Sequence, residues 1–300
     1  MFIDELGAEH PAATSTPVEL DGSPELSIVV VTHDSRREIR ACLDSIFRAA
    51  EPRWDPGGSL QVILVDNCSA DGTLDAVAHH FPLVELVRAP RRRGYAANAN
   101  AGASRAKGRI LVLLNPDTRV YMGALTTLVD FLDSHPEVGI CGPRLVFPDG
   151  SPQPSARRFP RPGVTVVRRT PLRLVLERGR WSGERHHLML DERIEVPSAV
   201  DWLLGAAMVM RASFYRQLGG MDERYRLYCE DIDLCWRSWE RGMSVVVVPA
   251  ATVEHELGEL TRKRFLTRAT IWHGQSMARF VMRHGFKRPM GAPDGCSPVA

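Results

Sequence analysis

Asn115-Pro116-Asp117 follows the apolar run Ile110 to Leu114, which fixes an acid just beyond a buried strand. A carboxylate in that position can hold a hard divalent cation, and the cation can neutralise a diphosphate. Far along the chain, Glu230 and Asp231 supply two adjacent carboxyl groups. A hydroxyl that attacks must lose its proton, and a carboxylate about 3 Å away can take it. Adjacent residues do not share one helix face, so at most one of the two is expected to be that base. His255 follows the last apolar run and can coordinate a metal as a neutral ring or meet a diphosphate as a cation. The pattern points to metal-assisted transfer to a hydroxyl.

Asp34 and Asp66 each end an earlier apolar run. As ionised carboxylates they offer only acceptors, which suits the imide and sugar of a pyrimidine nucleotide. Either could instead cap the helix that follows its strand. Asn115 is expected to order its turn or touch the substrate rather than bind metal. Asp233 can face outward or pair with Arg237 four residues on. In Gly205-Ala206-Ala207 the absence of bulk lets a backbone or a substrate come close. His33, His79, His80, His186 and His187 have no metal-ligand spacing.

These residues need a scaffold. Leu26 to Val31, Val62 to Val65, Val84 to Val87 and Ile110 to Leu114 read as buried strands, separated by helical patterns such as Ile39, Cys42, Leu43, Ile46 and Phe47. Ser35 and Glu38 form a possible capping box. A helix is expected over 97–107 and another over 122–134, then a strand over 138–142. The alternation predicts a mostly parallel α/β sheet covered on both faces, with ligands beyond the carboxyl ends of its strands. Thr32-His33-Asp34, Asp66 and Asp117 all fall there. From Pro148 to about 165 the chain is rich in Pro, Ser and Arg, and a basic amphipathic piece with Val166, Val167, Leu172, Leu174, Val175 and Leu176 follows. This insert, near 148–195, reads as a mobile insert, a wall for an acceptor or a surface helix touching lipid. Val200 to Met210 and Ser244 to Val248 read as strands, Ser213 to Leu218 and the Glu230 to Arg237 segment as helices, His255 as a loop residue, and 261–283 as a basic helix. Residues 1–24 and 284–300 are expected to be disordered flanks of a single domain over 25–283.

With 300 residues, 44% hydrophobic and 25% charged residues and a net charge of +2, the composition is that of an ordinary globular protein. It does not call for nucleic acid. Arginine is nevertheless clustered at Arg88, Arg91, Arg92 and Arg93 and at Arg157, Arg158 and Arg161, which suits diphosphates or an anionic bilayer. No apolar stretch reaches a membrane span, so bilayer contact would be peripheral. Six cysteines without a CxxC pair fit a reducing cytoplasm, and the N-terminal residues do not make a signal peptide.

Five segments in order carry a resemblance. They are Val30-Val31-Thr32-His33-Asp34, Val65-Asp66-Asn67-Cys68-Ser69-Ala70-Asp71-Gly72-Thr73, Gly94-Tyr95-Ala96-Ala97-Asn98-Ala99-Asn100-Ala101-Gly102, Asn115-Pro116-Asp117 and Glu230-Asp231-Ile232-Asp233-Leu234-Cys235-Trp236-Arg237. The chain resembles the inverting family 2 glycosyltransferases with a GT-A fold, over about Leu26 to Arg279. The resemblance implies a nucleotide-sugar donor, Mg²⁺ or Mn²⁺ held through Asp117 and His255, and Asp231 as base beside Glu230. It places Thr32, Asp34, Asp66, Arg93, Gly94, Asn100, Asn115 and Asp117 at the nucleotide sugar. It places Trp202, Gly205, Glu230, Asp233 and Arg157 at the acceptor. Residues 25–120 would form the nucleotide-binding part and 121–283 the acceptor part. Arg92 stands where relatives often carry Asn, and the His255 motif lacks the small hydroxyl residue found after its Gly in relatives. The phrase Asp149 to Pro160 resembles a rhamnosyltransferase subgroup, which implies dTDP-L-rhamnose as donor and a lipid-linked saccharide or envelope polysaccharide as acceptor. A nucleotidyltransferase is disfavoured because no Gly-rich, Lys-bearing loop follows the first strand. An inactive glycan-binding scaffold is disfavoured because Asp117 and Asp231 are both present.

Overall fold

A computed structural model describes residues 23–51, 53–160, 194–256, 268–285, 287–293 and 295–299. The amphipathic piece Val166 to Leu176, Arg161, His186, His187 and the first seven positions of the expected 261–283 helix lie outside the described residues, as do residues 1–22.

The strands are β1 (Leu26–Thr32), β2 (Leu60–Asp66), β3 (Glu85–Arg88), β4 (Ile110–Leu114), β5 (Thr118–Val120), β6 (Val138–Val146), β7 (Pro152–Gln153), β8 (Ala156–Arg157), β9 (Ser198–Ala199), β10 (Trp202–Leu203), β11 (Ala207–Arg211), β12 (Ser244–His255) and β13 (Ser297–Pro298). The helices are α1 (Ile39–Ala50), α2 (Thr73–His80), α3 (Tyr95–Ala103), α4 (Ala124–Ser134), α5 (Ala212–Gln217), α6 (Glu230–Glu240) and α7 (Arg268–His284). One large sheet runs β13-β9-β12-β6-β11-β4-β1-β2-β3, and β8 pairs separately with β10. β1 is parallel to β2 and β4, β2 to β3, and β6 to β12, whereas β11 runs antiparallel between β4 and β6.

Period-2 alternation splits the buried strand residues between two faces. Ile28, Val30, Val62, Leu64, Val112 and Leu114 join Ile39, Leu43, Ile46, Leu125 and Leu128 of α1 and α4 in one core. Val29, Val31, Ile63, Val65, Leu111 and Leu113 join Ala96, Phe214, Trp236 and Phe280 of α3, α5, α6 and α7 in the other. Gly102 explains how closely α3 rides on the sheet: a Cβ there would sit 2.4 Å from Val29 Cγ1. That approach sets the start of α3 beside the carboxyl end of β2.

Several expectations are corrected. The Ser35–Glu38 capping box does not form; α1 has no side-chain cap, and the Ser35 hydroxyl turns back onto the His33 carbonyl. α3 begins at Tyr95 and ends at Ala103, not over 97–107. Val200 to Met210 is not one strand but β10, a Gly205 break and β11. β12 does not stop at Val248. It passes Pro249 through a register shift against β6 and continues to His255, so His255 ends a strand rather than lying in a loop. Proline lacks the N–H a ladder needs, and the shift accommodates it. Among the described residues of 284–300, Ser297 and Pro298 form β13, which pairs with β9, and Arg288 bonds the buried Asp201, so these are not disordered flank. All six cysteines are unpaired as disulfides.

Candidate active site

The carboxyl ends of β1 and β2 are stitched into one rim. Asn67 N–H donates to the Thr32 carbonyl at 2.8 Å, His33 Nδ1 lies 2.9 Å from the Asn67 carbonyl, and Asp34 accepts from Ala70 N–H at 2.8 Å. Asp34 and Cys68 have positive φ, 51° and 61°, which turns both loops sharply. Asp34 keeps nearly half of its side chain exposed and stays reachable by a ligand. Asp66 does not. Its residue is 0% exposed and its carboxylate accepts the Ser69 N–H at 3.1–3.2 Å, so it caps the turn from within instead of presenting acceptors to a base. Thr32 is likewise fully buried, with its hydroxyl shielded inside the fold.

The loop before α3 hangs from Asn67, a residue of the Val65–Thr73 motif that was not among the expected site residues. Its amide donates to the Arg93 carbonyl at 3.0 Å and accepts the Arg93 N–H at 2.8 Å. Arg93 pairs with Glu223 at 2.7 Å. Gly94 is small for the chain's own sake: a Cβ would meet the Arg226 carbonyl at 2.8 Å. Asn100 is also withdrawn from the ligand side. Its oxygen accepts the Tyr215 hydroxyl at 2.6 Å and Met221 N–H at 2.9 Å, while its nitrogen donates to the Met221 carbonyl at 2.9 Å and to Glu223 at 3.1 Å. It braces the 219–223 loop.

β5 and the far end of β12 bring the metal candidates together. In their antiparallel register His255 faces Thr118, and Arg119 faces Glu254, with which it forms an ion pair. Asp117 immediately precedes β5, so its carbonyl accepts Glu256 N–H at 2.9 Å and its Oδ1 lies 3.5 Å from His255 Nε2. Asp117 is partly open, with its side chain 23% exposed. Asn115 orders the turn through its backbone: N–H to the Ala206 carbonyl at 2.9 Å, and carbonyl accepting the Thr118 hydroxyl at 2.7 Å. No group of three candidate ligands occurs among the described residues. Asp117 and His255 would supply two ligands to a hard cation, a number that suits ions bound largely through substrate phosphates.

Glu230 and Asp231 open α6 after Tyr228 and Cys229, two successive residues with positive φ, 64° and 71°. Such backbone strain is held in place by its surroundings and collects at functional sites. Here the Ser276 hydroxyl of α7 bonds the Leu227 carbonyl at 2.9 Å. Asp231 accepts the Gly205 N–H at 3.1 Å and the Ile232 N–H at 2.9 Å. Burial pushes its carboxyl above the ordinary range, and those two N–H groups and the Arg157 charge offset only part of the rise. Glu230 is pushed up by burial and then by Asp231, and its Oε2 is buried without a hydrogen-bond partner. Both carboxyls are held above their ordinary range, but only Asp231 has N–H donors to receive a negative charge, while Glu230 Oε2 has no partner. Gly205 permits the close approach, since a Cβ there would lie 3.2 Å from Asp231 Cβ.

Arg157 lies opposite Trp202 in the β8–β10 pair, its guanidinium 5.3 Å from the indole centre. Trp202 is buried beneath it and bonds the Arg158 carbonyl at 2.8 Å, so this wall presents Arg157 rather than a bare ring. Asp233 is not at the acceptor. It is 0% exposed, bonded to Arg237 at 2.7 Å and His284 at 2.8 Å, with the Tyr225 hydroxyl at 3.2 Å. It locks α6 to α7.

Residues 27–191 match the family described as Glycosyl transferase family 2. The chain is 31% identical, over 86% of its own length and 85% of the relative's, to N-acetylglucosaminyl-diphospho-decaprenol L-rhamnosyltransferase of Mycobacterium tuberculosis. Over 92 residues, 31% of this chain and 34% of the relative, it is 37% identical to the rhamnosyltransferase WbbL of Escherichia coli. The mannosyltransferase PcManGT of Pyrobaculum calidifontis, solved with GDP-Man and Mn²⁺, superposes with a TM-score of 0.57 at 20% identity, over 92% of this chain and 70% of that one. GalNAc-T7, solved with UDP, GalNAc and Mn²⁺, gives 0.58 at 17% identity, over 84% of this chain and 47% of that one. The sheet order, the acids at its carboxyl rim and these likenesses agree: the chain has a GT-A fold and belongs to glycosyltransferase family 2.

Proposed function

We propose that the protein is an inverting glycosyltransferase that moves L-rhamnose from dTDP-L-rhamnose to a hydroxyl of a lipid-linked saccharide of the cell envelope. What supports the catalytic reading is that Asp231 accepts two N–H groups, one from Gly205, whose neighbour Ala206 bonds the Asn115 turn that leads to the Asp117–His255 pair; in this reading Asp231 carries the charge and Glu230 the proton. Asp231 takes the acceptor proton as the hydroxyl oxygen bonds to the anomeric carbon. The bond from that carbon to the diphosphate oxygen breaks, and dTDP leaves. One displacement inverts the centre. Asp117 and His255 would hold Mg²⁺ or Mn²⁺, which supplies charge neutralisation for the departing diphosphate. Asp34 lies on the nucleotide side of the rim and Arg157 on the acceptor side.

The sugar and the acceptor are argued from the mycobacterial relative, whose name states transfer of L-rhamnose to a decaprenol-linked N-acetylglucosamine. A UDP- or GDP-sugar donor is the alternative, since solved proteins of the same fold hold UDP or GDP-mannose. The test offers dTDP-rhamnose, UDP-sugars and GDP-sugars with a prenyl-diphosphate-N-acetylglucosamine acceptor and reads products by mass spectrometry. Transfer of rhamnose alone supports the reading; transfer from only a UDP- or GDP-sugar overturns the donor. No helix among the described residues is long and apolar enough to cross a membrane. A peripheral position on the cytoplasmic face would suit a lipid-linked acceptor. Co-sedimentation with anionic vesicles at low salt is the expected result, and its absence would mean that the acceptor comes to the enzyme without such contact.

A further inference from the structure

We infer that Gln153 is a positioning residue that sets which nitrogen of His255 faces Asp117. Gln153 forms the second residue of the short strand β7, paired with Leu145 of β6, and it is buried, as is His255. Its amide meets His255 twice. Gln153 Nε2 donates to the His255 carbonyl at 3.2 Å, and Gln153 Oε1 lies 2.7 Å from His255 Nδ1. A carbonyl can only accept, so the first bond fixes which end of the amide is nitrogen. The other end is then an oxygen, which can also only accept. The hydrogen of the second bond must therefore come from the imidazole, and Nδ1 carries it.

In the neutral ring the proton on Nδ1 leaves Nε2 as a bare lone pair. That lone pair lies 3.5 Å from Asp117 Oδ1, itself an acceptor. Two lone pairs facing one another repel unless a cation lies between them. Gln153 thus holds the ring in the one neutral tautomer that can ligate from Nε2, as carboxylates and carbonyls that accept the other ring N–H do for metal-bound histidines. A glutamine does this without adding a buried charge. Methionine at 153 would fill the same space and make neither bond. Glutamate would still accept from Nδ1–H but could not donate to the carbonyl.

The inference rests on the reading of Asp117 and His255 as metal ligands, and the experiment separates the two. First, ¹⁵N-imidazole spectra of the metal-free wild type and of Q153M are compared. Second, Mn²⁺ is titrated in the presence of dTDP and followed by electron paramagnetic resonance, for wild type, Q153M, Q153E, D117A and H255A. The expected spectrum is Nδ1–H for wild type, with Nε2–H appearing in Q153M. The expected binding is about 10–100-fold weaker in Q153M, with at least part of the loss recovered in Q153E. A wild-type ring in the Nε2–H form would overturn the inference even if Q153M does not fold. So would Mn²⁺ binding in Q153M within twofold of wild type while D117A and H255A both weaken it. If neither D117A nor H255A changes Mn²⁺ binding, the metal reading itself fails, and the inference with it.

Discussion

Asn100 lies in a segment that resembles a donor-binding motif, yet its amide is fully used inside the fold, and substituting it separates the two roles. In N100A the Met221 N–H keeps only the Tyr215 hydroxyl at 3.2 Å, the Tyr215 hydroxyl loses its acceptor at 2.6 Å, and the Met221 carbonyl loses its donor at 2.9 Å. Leaving a buried polar group unpaired costs about 1–3 kcal/mol. With two groups stranded and one partly compensated, the loss should be about 2–4 kcal/mol. For a chain of this size each kcal/mol lowers Tm by about 2–4 °C, so a drop of roughly 5–15 °C is expected. Thermal unfolding followed by circular dichroism measures it. Affinity for dTDP, titrated well below the new Tm, should stay within about threefold, because a brace contributes nothing directly to a nucleotide contact. A Tm within a degree or so of wild type together with a tenfold loss of dTDP affinity would refute the reasoning and return Asn100 to the nucleotide.

Three further outcomes follow from the buried charges. Burial works against the Asp233 carboxylate, but the His284 hydrogen bond and the Arg237 charge outweigh it and hold its carboxyl below the usual value. Its stabilising effect is complete above the unfolded value of about 3.9 and is lost as pH falls through the lowered native one. D233N should cost about 3–5 kcal/mol at neutral pH and flatten the acid limb of stability, and an unchanged acid limb in urea unfolding would contradict this. Arg157 restrains the rise that burial imposes on Asp231. In R157M the acid limb of kcat/KM should therefore move to higher pH, and a limb that stays in place or moves to lower pH would sink the assignment. With Glu230 carrying the proton in the proposed mechanism, E230Q should keep kcat within about tenfold; a loss as deep as that of D231N would show that Glu230 carries the negative charge.

The sheet was largely legible because its evidence is local. Ile28, Val30, Val62, Leu64, Val112 and Leu114 lie within short apolar runs separated by helical patterns, and the acids at the ends of those runs had to fall on one rim. What was illegible depends on partners distant in sequence. Pro249 reads as the end of a strand, and only the register shift against β6 reveals that β12 continues to His255 and carries it to Asp117. Asp66 and Asn100 are polar residues at the rim, and nothing in their own segments tells that one points inward to Ser69 and the other to Met221. The Asp233–Arg237 spacing of four did announce the ion pair, but His284, which completes it, is 51 residues away. Gln153 had only its place in a Pro- and Ser-rich phrase to mark it.

The central claim is that Asp231 removes the acceptor proton while Asp117 serves the diphosphate, and it is tested most directly by single-turnover rhamnose transfer from dTDP-rhamnose with saturating acceptor and divalent metal. Wild type, D231N and D117N are compared, with dTDP-rhamnose affinity measured on the same samples. D231N should lose about 10²–10⁴-fold in the chemical step and keep metal-dependent donor affinity, whereas D117N should lose both turnover and the metal dependence of donor binding. A D231N enzyme that transfers rhamnose within a few-fold of wild type, or a D117N enzyme whose donor binding still responds to metal as wild type does, would contradict the account.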